Sequence, residues 1–269
     1  MIVHSYIQTP GGMGLGDFLR GSLACHQLCT SGRTPYVITF KDHPIGEFII
    51  PRGSVPDVHI NNLNNQCNRL TDLRAKLSEF RSRLRGRHPT IGVHCNTFPS
   101  FPLNRHTKLF VSHAFTPNDK LQSMIDEVTP TEPYEVIHVR TGDKLAYSTA
   151  INFTVDVDRD SMMKYIIDKI NEISSQTSNK LIIMCDSDAV KKELTSVCNV
   201  HPTAARSVHM NIVEVDDTSG VTDTLVDFFL LKTAKAIHQF SVHNWGSTFS
   251  NCAHWLYDVP LKCYKLDTL

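Results

Sequence analysis

Two hydrophobic periods take turns along this chain. Short apolar, β-branched runs occur at residues 2–8, 36–40, 136–140, 181–185, 211–215 and 239–242. Each has the length of a buried strand and carries no helical spacing. Between them the helical period returns: from about Asp17 to Cys29, over 70–85, over 160–174 (with Met163, Ile166, Ile167 and Ile170 on one face), and over 189–196. Two more helices are expected at 222–238, with Thr222 or Asp223 as cap, and at 247–257, stopped ahead of Pro260. Residues 91–95 and 108–111 are weaker strand candidates. Residues 61–68 read as an Asn-rich loop, and 116–133, with three prolines, as a linker or bridging helix. Strands alternating with helices in both halves predict an α/β protein with mainly parallel sheets. The expected domains are 1–125 and 126–269, with a substrate cleft between them.

Composition narrows the classes. The 269 residues carry 27 Lys+Arg against 27 Asp+Glu, without the strongly basic face that broad nucleic-acid binding needs. No apolar run approaches the roughly 18 residues of a membrane span. The chain starts directly on the strand-like MIVHSYI, so neither a signal peptide nor an anchor is expected. The expected location is the cytosol of a bacterium or of a virus-infected cell. The 8 cysteines include no C-x-x-C pair. They read as buried free thiols in a reducing compartment, and zinc is not expected. Of the 14 histidines, only His138 stands in a suggestive place.

That place is the run 136–144, VIHVRTGDK. His138 and Arg140 share one side of a strand end, and Gly142 turns the chain. A cation at a strand's carboxyl end, beside a Gly turn, suits an anionic leaving group, because ligands of open α/β sheets collect there and Arg can bond two phosphate oxygens at once. A salt bridge between Arg140 and Asp143 is the plain alternative. The loop 9–17, TPGGMGLGD, lies between a strand and a helix, where glycines let backbone approach a ligand and the helix start favours negative charge. It fits neither G-x-G-x-x-G nor the P-loop, and Asp17 could serve simply as a cap. Asp186 and Asp188 form a D-x-D after an apolar strand. That pattern can hold a metal, bond a ribose or cap the next helix. In the run 244–251, NWGSTFSN, small hydroxyl residues at a helix start offer donors to an anion, or an ordinary cap. The basic stretch with Arg69, Arg74, Arg81, Arg83, Arg85 and Arg87 reads as a solvated face. The sequon at 152–154 has meaning only behind a secretory signal.

Taken in order, these segments resemble the fucosyltransferase superfamily that uses GDP-fucose. That group includes the α1,2-fucosyltransferases, the α1,6-fucosyltransferases with their nodulation relatives, and the protein O-fucosyltransferases. GGMGLGDFLRGSLA (11–24) is similar to the family's GGLGNQ loop and helix. HVRTGDK (138–144) is similar to HVRRGDY and HVRRTDK. LIIMCDSD (181–188) is similar to the family's strand ending in acidic residues, and residues 223–260 to its terminal block.

The resemblance implies the GT-B arrangement of two Rossmann-like α/β domains facing across a cleft. It also implies inversion at the sugar carbon and no metal. Arg140 would hold the donor's diphosphate, His138 and Asp143 would line the nucleotide pocket, and Asp186 would contact the nucleoside. Ser247, Thr248, Phe249 and Ser250 would close on the diphosphate. Gly12, Gly14 and Gly16 would bring the facing loop towards sugar and acceptor. Asp17, on that loop, is the candidate base, and Arg140 the group that stabilises charge on the leaving phosphate. The expected co-substrate is GDP-fucose, with no separate cofactor. The expected acceptor is an oligosaccharide or glycoprotein glycan. Thr141 replaces a second arginine, and Asp17 an asparagine of the α1,2 group. A relative using another donor, such as UDP-xylose, would show such changes. The rival classes are a metal-dependent D-x-D transferase and a non-catalytic nucleotide-sugar or glycan-binding protein.

Overall fold

The computed structural model describes residues 1–8, 13–51, 55–84, 89–141, 158–203 and 218–266. Gly12 and Asp143 of the candidate site lie outside them, as do the expected strand at 211–215 and the sequon at 152–154. The chain forms two compact units, one built mainly on residues up to Ser123 and one on most of the chain from Met124.

In the N-terminal unit, β1 (Ile2–Ser5) leads into α1 (Leu15–Ser31) and β2 (Tyr36–Thr39). A 3-10 turn at Pro44–Glu47 follows. Then come β3 (Ile60–Asn62), α2 (Leu70–Arg83), β4 (Ile91–His94), α3 (Arg105–Ala114) and α4 (Asp119–Val128). The four strands are all parallel, in the order β2-β1-β4-β3. Both faces of such a sheet are covered, which is why β1 and β4 are buried along their whole length. Ile2, Leu63, Leu73, Leu77, Ile91 and Val93 build one core. Gly21 lets α1 lie close on the end of β4, since an added Cβ would run into the Cys95 carbonyl.

Two expectations are corrected here. Residues 108–111 are helical, not extended. Asn104 caps α3 through the Thr107 N–H at 2.8 Å, and Thr107, Val111 and Ala114 form its buried stripe. The apolar LFV run alone hides that spacing. The Asn-rich stretch begins with strand β3, whose polar residues suit an edge position, and the Asn61 amide donates to the Gly92 carbonyl at 2.8 Å. The basic helix behaves as a solvated face: Arg74 is exposed, Lys76 and Arg83 pair with Glu79, and Arg81 bonds Thr34.

The C-terminal unit holds β5 (Tyr134–Arg140), α5 (Arg159–Gln176), β6 (Lys180–Cys185) and α6 (Asp188–Val197). It continues with β7 (His201–Pro202), α7 (Thr218–Thr233), β8 (Ile237–Ser241), α8 (Thr248–Tyr257) and β9 (Leu261–Lys265). Its sheet is parallel throughout, ordered β7-β6-β5-β8-β9. Ile137, Val139, Ile166, Ile170, Ile183 and Leu194 meet in its core. The expected helix over 222–238 ends at Thr233, and β8 starts at Ile237. α7 is apolar on nearly every side (Val221, Leu225, Phe228, Phe229, Leu230 and Leu231 are all buried), so no polar face marks its end. β9 was not expected: it is an edge strand in which Tyr264 is the buried residue.

The strand order matters for function. From β5 the chain moves outward to β6 and β7, then returns to β8 on the opposite side of β5. The loops leaving β5 and β8 therefore diverge. A doubly wound sheet opens its ligand crevice at such a point, outside the carboxyl ends of the strands. Among the described residues no helix is long and apolar enough to cross a membrane.

Candidate functional site

Arg140 is the last residue of β5 and stands at this switch point, paired in register with Ser241 at the end of β8. Its guanidinium donates to Asp186 Oδ2 at 2.6 Å, with side chains 23% and 15% exposed. The other carboxylate oxygen accepts from the Thr141 backbone N–H and hydroxyl, both at 3.0 Å. Asp186 follows β6 directly, and its own N–H donates to the Val139 carbonyl at 3.3 Å. The carboxylate thus clamps the end of β5, and the partly exposed guanidinium is held in one place. The resemblance places a second arginine where Thr141 stands. Thr141 is fully buried and spends both donors on Asp186, so here it braces the clamp.

His138 lies two residues back on β5. Its Nδ1 is 2.8 Å from Ser250 Oγ, and the Gln239 amide donates to the same hydroxyl at 2.6 Å. Ser250 thus accepts from Gln239 and shares a second hydrogen bond with His138 Nδ1, linking β5, β8 and α8 through one hydroxyl. Burial lowers the His138 pKa to about 4, with Asp186 pulling it up and Arg140 pushing it down. The ring is neutral near pH 7. Gln239 also donates to the Ser247 carbonyl at 3.1 Å, so one buried amide ties β8 to the start of α8. Gly246 completes the fit: its φ is +77°, and an added Cβ would collide with the Gln239 carbonyl oxygen.

At the start of α8, Ser247 occupies the N-cap without a side-chain cap bond. Thr248 and Phe249 are half-buried, and Phe249 packs 5.8 Å from the His138 ring. A helix start at a sheet's carboxyl edge favours an anion. Ser250 is fully buried, and its hydroxyl is bonded to His138 and Gln239, so it ties that pair to α8. Ser247 is buried too, at 6% exposure. The two acids of the D-x-D have different partners. Asp186 holds Arg140 and Thr141, while Asp188 opens α6 and pairs with Lys191 at 3.4 Å.

In the N-terminal unit, Gly14 is the N-cap of α1, Gly16 is buried, and Asp17 lies in the first turn. Asp17 pairs with Arg20 at 3.2 Å. Arg20 is almost buried, donates to the Asn96 carbonyl at 2.7 Å and covers the Phe98 ring at 3.9 Å. A cavity of about 620 Å³, lined by residues including Gln8, Phe40, Asp42, His43 and Glu47, opens in the same unit.

Two groups escaped the sequence reading. Gln239 looked like one more strand residue. Asp227 sits inside the apolar run LVDFFLL, a placement that was itself the signal. The residue is half-buried, but its Oδ1 is enclosed with no hydrogen-bond partner among the described residues. Burial raises its pKa to about 7 against the pull of Lys191.

This architecture is an α/β fold shared with the fucosyltransferases of GT-B type. The fucosyltransferase NodZ from Bradyrhizobium superposes with a TM-score of 0.61 at 15% identity, over 99% of this chain and 95% of that one. NodZ alpha-1,6-fucosyltransferase co-crystallized with GDP gives 0.59 at 14%, over 94% and 91%. A variant of Arabidopsis thaliana FUT1 in complex with GDP gives 0.58 at 10%, over 98% and 70%. No protein-family model and no curated protein matches the sequence.

Proposed function

We propose that this chain is an inverting glycosyltransferase that moves L-fucose from GDP-fucose to a hydroxyl of an oligosaccharide or glycoprotein glycan. The observation that carries the reading is the clamped cation at the switch point. Arg140 is fixed by Asp186 at 2.6 Å, and β8, its neighbour in the sheet, leads into the uncapped start of α8. Fold likeness to a fucosyltransferase bound to GDP favours the guanine nucleotide.

In this reading the acceptor oxygen attacks the sugar's anomeric carbon as the bond to the β-phosphate breaks. The acceptor proton passes to a carboxylate, and the electron pair of the breaking bond leaves with GDP. Arg140 and the first N–H groups of α8 stabilise that growing charge. Groups fixed before the reaction need no reorganisation, and removing one such donor costs on the order of 10²–10³ in rate. Asp17 is the candidate base, a carboxylate in the first turn of α1 held by its pair with Arg20. His138 and Asp186 line the nucleotide side. The cavity of the N-terminal unit, where Asp42, His43 and Glu47 stand among apolar residues, is the candidate acceptor side.

The test is thermal stability and turnover with GDP, GDP-fucose, UDP and UDP-xylose, in wild type and Arg140→Ala. A ligand that binds the folded state raises its stability by mass action. The reading expects stabilisation by GDP ligands that Arg140→Ala abolishes, and fucose transfer that Asp17→Asn slows without weakening donor binding. Stabilisation by UDP ligands alone would replace the donor. No shift with any of the four would end the transferase reading.

A further inference from the structure

We propose that the core of the N-terminal unit binds one thiophilic cation, such as Zn²⁺, through His4, Cys25 and Cys95. The residues come from three elements: His4 from β1, Cys25 from the middle of α1, and Cys95 from just past β4. All three are fully buried. One ligand atom from each lies within 4.8 Å of the other two.

The spacing is that of a coordination polyhedron. Cys25 Sγ and Cys95 Sγ are 3.5 Å apart, and Cys95 Sγ is 3.8 Å from His4 Nε2. A tetrahedral centre with zinc–sulfur bonds of about 2.3 Å and a zinc–nitrogen bond of about 2.0 Å has edges of roughly 3.8 Å (S···S) and 3.6 Å (S···N). The ligands sit near these edges before any adjustment.

The surroundings prepare the histidine. Ser22 Oγ donates to the Phe18 carbonyl at 3.0 Å and is 3.0 Å from His4 Nδ1. With its proton spent, the hydroxyl accepts from Nδ1–H, which turns the Nε2 lone pair towards Cys95. That lone pair accepts from the Cys95 backbone N–H at 3.3 Å, a bond that a bound ion would displace. Such outer bonds fix the tautomer and ring direction of metal-binding histidines. Phe18 stacks on the imidazole at 4.4 Å and 17°, which holds the ring plane. Gly21, one turn before Cys25, permits the close approach of α1 to Cys95. The fourth position of such a centre is open to a water.

Charge balance fits as well. Binding a divalent ion releases two thiol protons, and two thiolates with a neutral imidazole leave the site without net charge. A buried site can accept that state. No open channel is required, because such ions enter as the chain folds and their binding energy becomes folding energy.

The test is to unfold the full chain with a chelator and reductant, then refold it with Co²⁺ as a coloured stand-in for Zn²⁺. The expected result is one cobalt per chain, a thiolate-to-cobalt charge-transfer band and the strong visible bands of a tetrahedral centre. Zn²⁺ should bleach these bands and raise the melting temperature. Cys25→Ser and Cys95→Ser should lose the charge-transfer intensity, while Cys198→Ser keeps it. The wild-type spectrum alone decides the matter if a variant fails to fold. Refolded wild type without a thiolate–cobalt band overturns the proposal. So does a peptide map of the refolded chain that finds Cys25 and Cys95 joined in one disulfide. Neither outcome touches the donor site, whose test is nucleotide binding.

Discussion

Lowering the pH should draw down folding stability through His138 within a defined window. In the folded protein its pKa is lowered to about 4, chiefly by burial. In the unfolded chain it returns to about 6.5. As pH falls, the unfolded chain takes up the proton first, so folding stability drops between those two values and is intact above them. A difference of about 2.5 units at 1.36 kcal/mol each corresponds to roughly 3 kcal/mol. No discount for solvent is due, because His138 is only 6% exposed. His26 and His94 are also lowered to about 4, so the wild-type curve alone does not isolate His138.

The isolating variant is His138→Asn, whose side-chain oxygen can still accept from Ser250. Urea unfolding across the window measures it. The variant starts lower at neutral pH, by about 1–3 kcal/mol for the smaller side chain. On acidification it should then lose roughly 3 kcal/mol less than wild type. The two curves converge as pH falls. Parallel curves would refute the argument, because His138 would then have the same pKa in both states. GDP-induced stabilisation should weaken only at the acid end of this window, near pH 4, where the folded ring itself takes up a proton and the tie to α8 loosens.

Three further outcomes follow from the same geometry. Asp186→Asn removes the charge that holds Arg140 but keeps an acceptor for Thr141. It should cost no more than about 1 kcal/mol in urea unfolding and lower kcat more than it raises the donor KM; an unchanged kcat would remove the clamp from the mechanism. Asp227 has its pKa raised to about 7, so its contribution is complete below pH 4 and lost as pH rises through 7. Asp227→Asn should therefore be more stable than wild type above pH 8, by about 2–4 kcal/mol after allowing for partial exposure, and nearly equal to it in acid. Gly246→Ala meets both a positive φ and the Gln239 side chain. Calorimetry should show a loss of about 1–3 kcal/mol, and GDP-induced stabilisation should shrink as Gln239 is pushed off Ser250.

What the sequence revealed depends on how local each feature is. The run from Val136 to Thr141 carries its own strand, its own turn and its own cation, so its place at a sheet edge could be read from one segment. Asp186 and the 244–251 loop were legible for the same reason. The partnership among them was not. That Asp186 would grip Arg140, or that Ser250 would turn inward to His138, depends on β5 lying between β6 and β8 in the sheet. Strand order is set by packing across the whole unit. α3 was missed because three adjacent apolar residues outweighed an N-cap four positions earlier. The His4–Cys25–Cys95 cluster was missed most completely. Cys25 and Cys95 are 70 positions apart, and no spacing rule connects residues that meet only after β1, α1 and β4 have packed.

The clamp also has a meaning that its stability alone does not supply. A partly exposed ion pair contributes little to folding, on the order of 0–1 kcal/mol, so Arg140 and Asp186 add little as a structural device. The geometry has another consequence. Asp186 fixes the guanidinium through one oxygen and the Thr141 backbone and hydroxyl through the other, at the point where the β5 and β8 loops diverge. An arginine left free would have to be ordered when the leaving group's charge appears. An arginine already held delivers its field without that delay, which is where electrostatic catalysis gains most. On the proposed donor-binding reading, the buried His138–Ser250–Gln239 chain would hold the start of α8 in register with Arg140, so that both positive ends would address one anion. If that is its role, Gln239→Leu should impair kcat and GDP binding more than the lost hydrogen bonds alone impair folding.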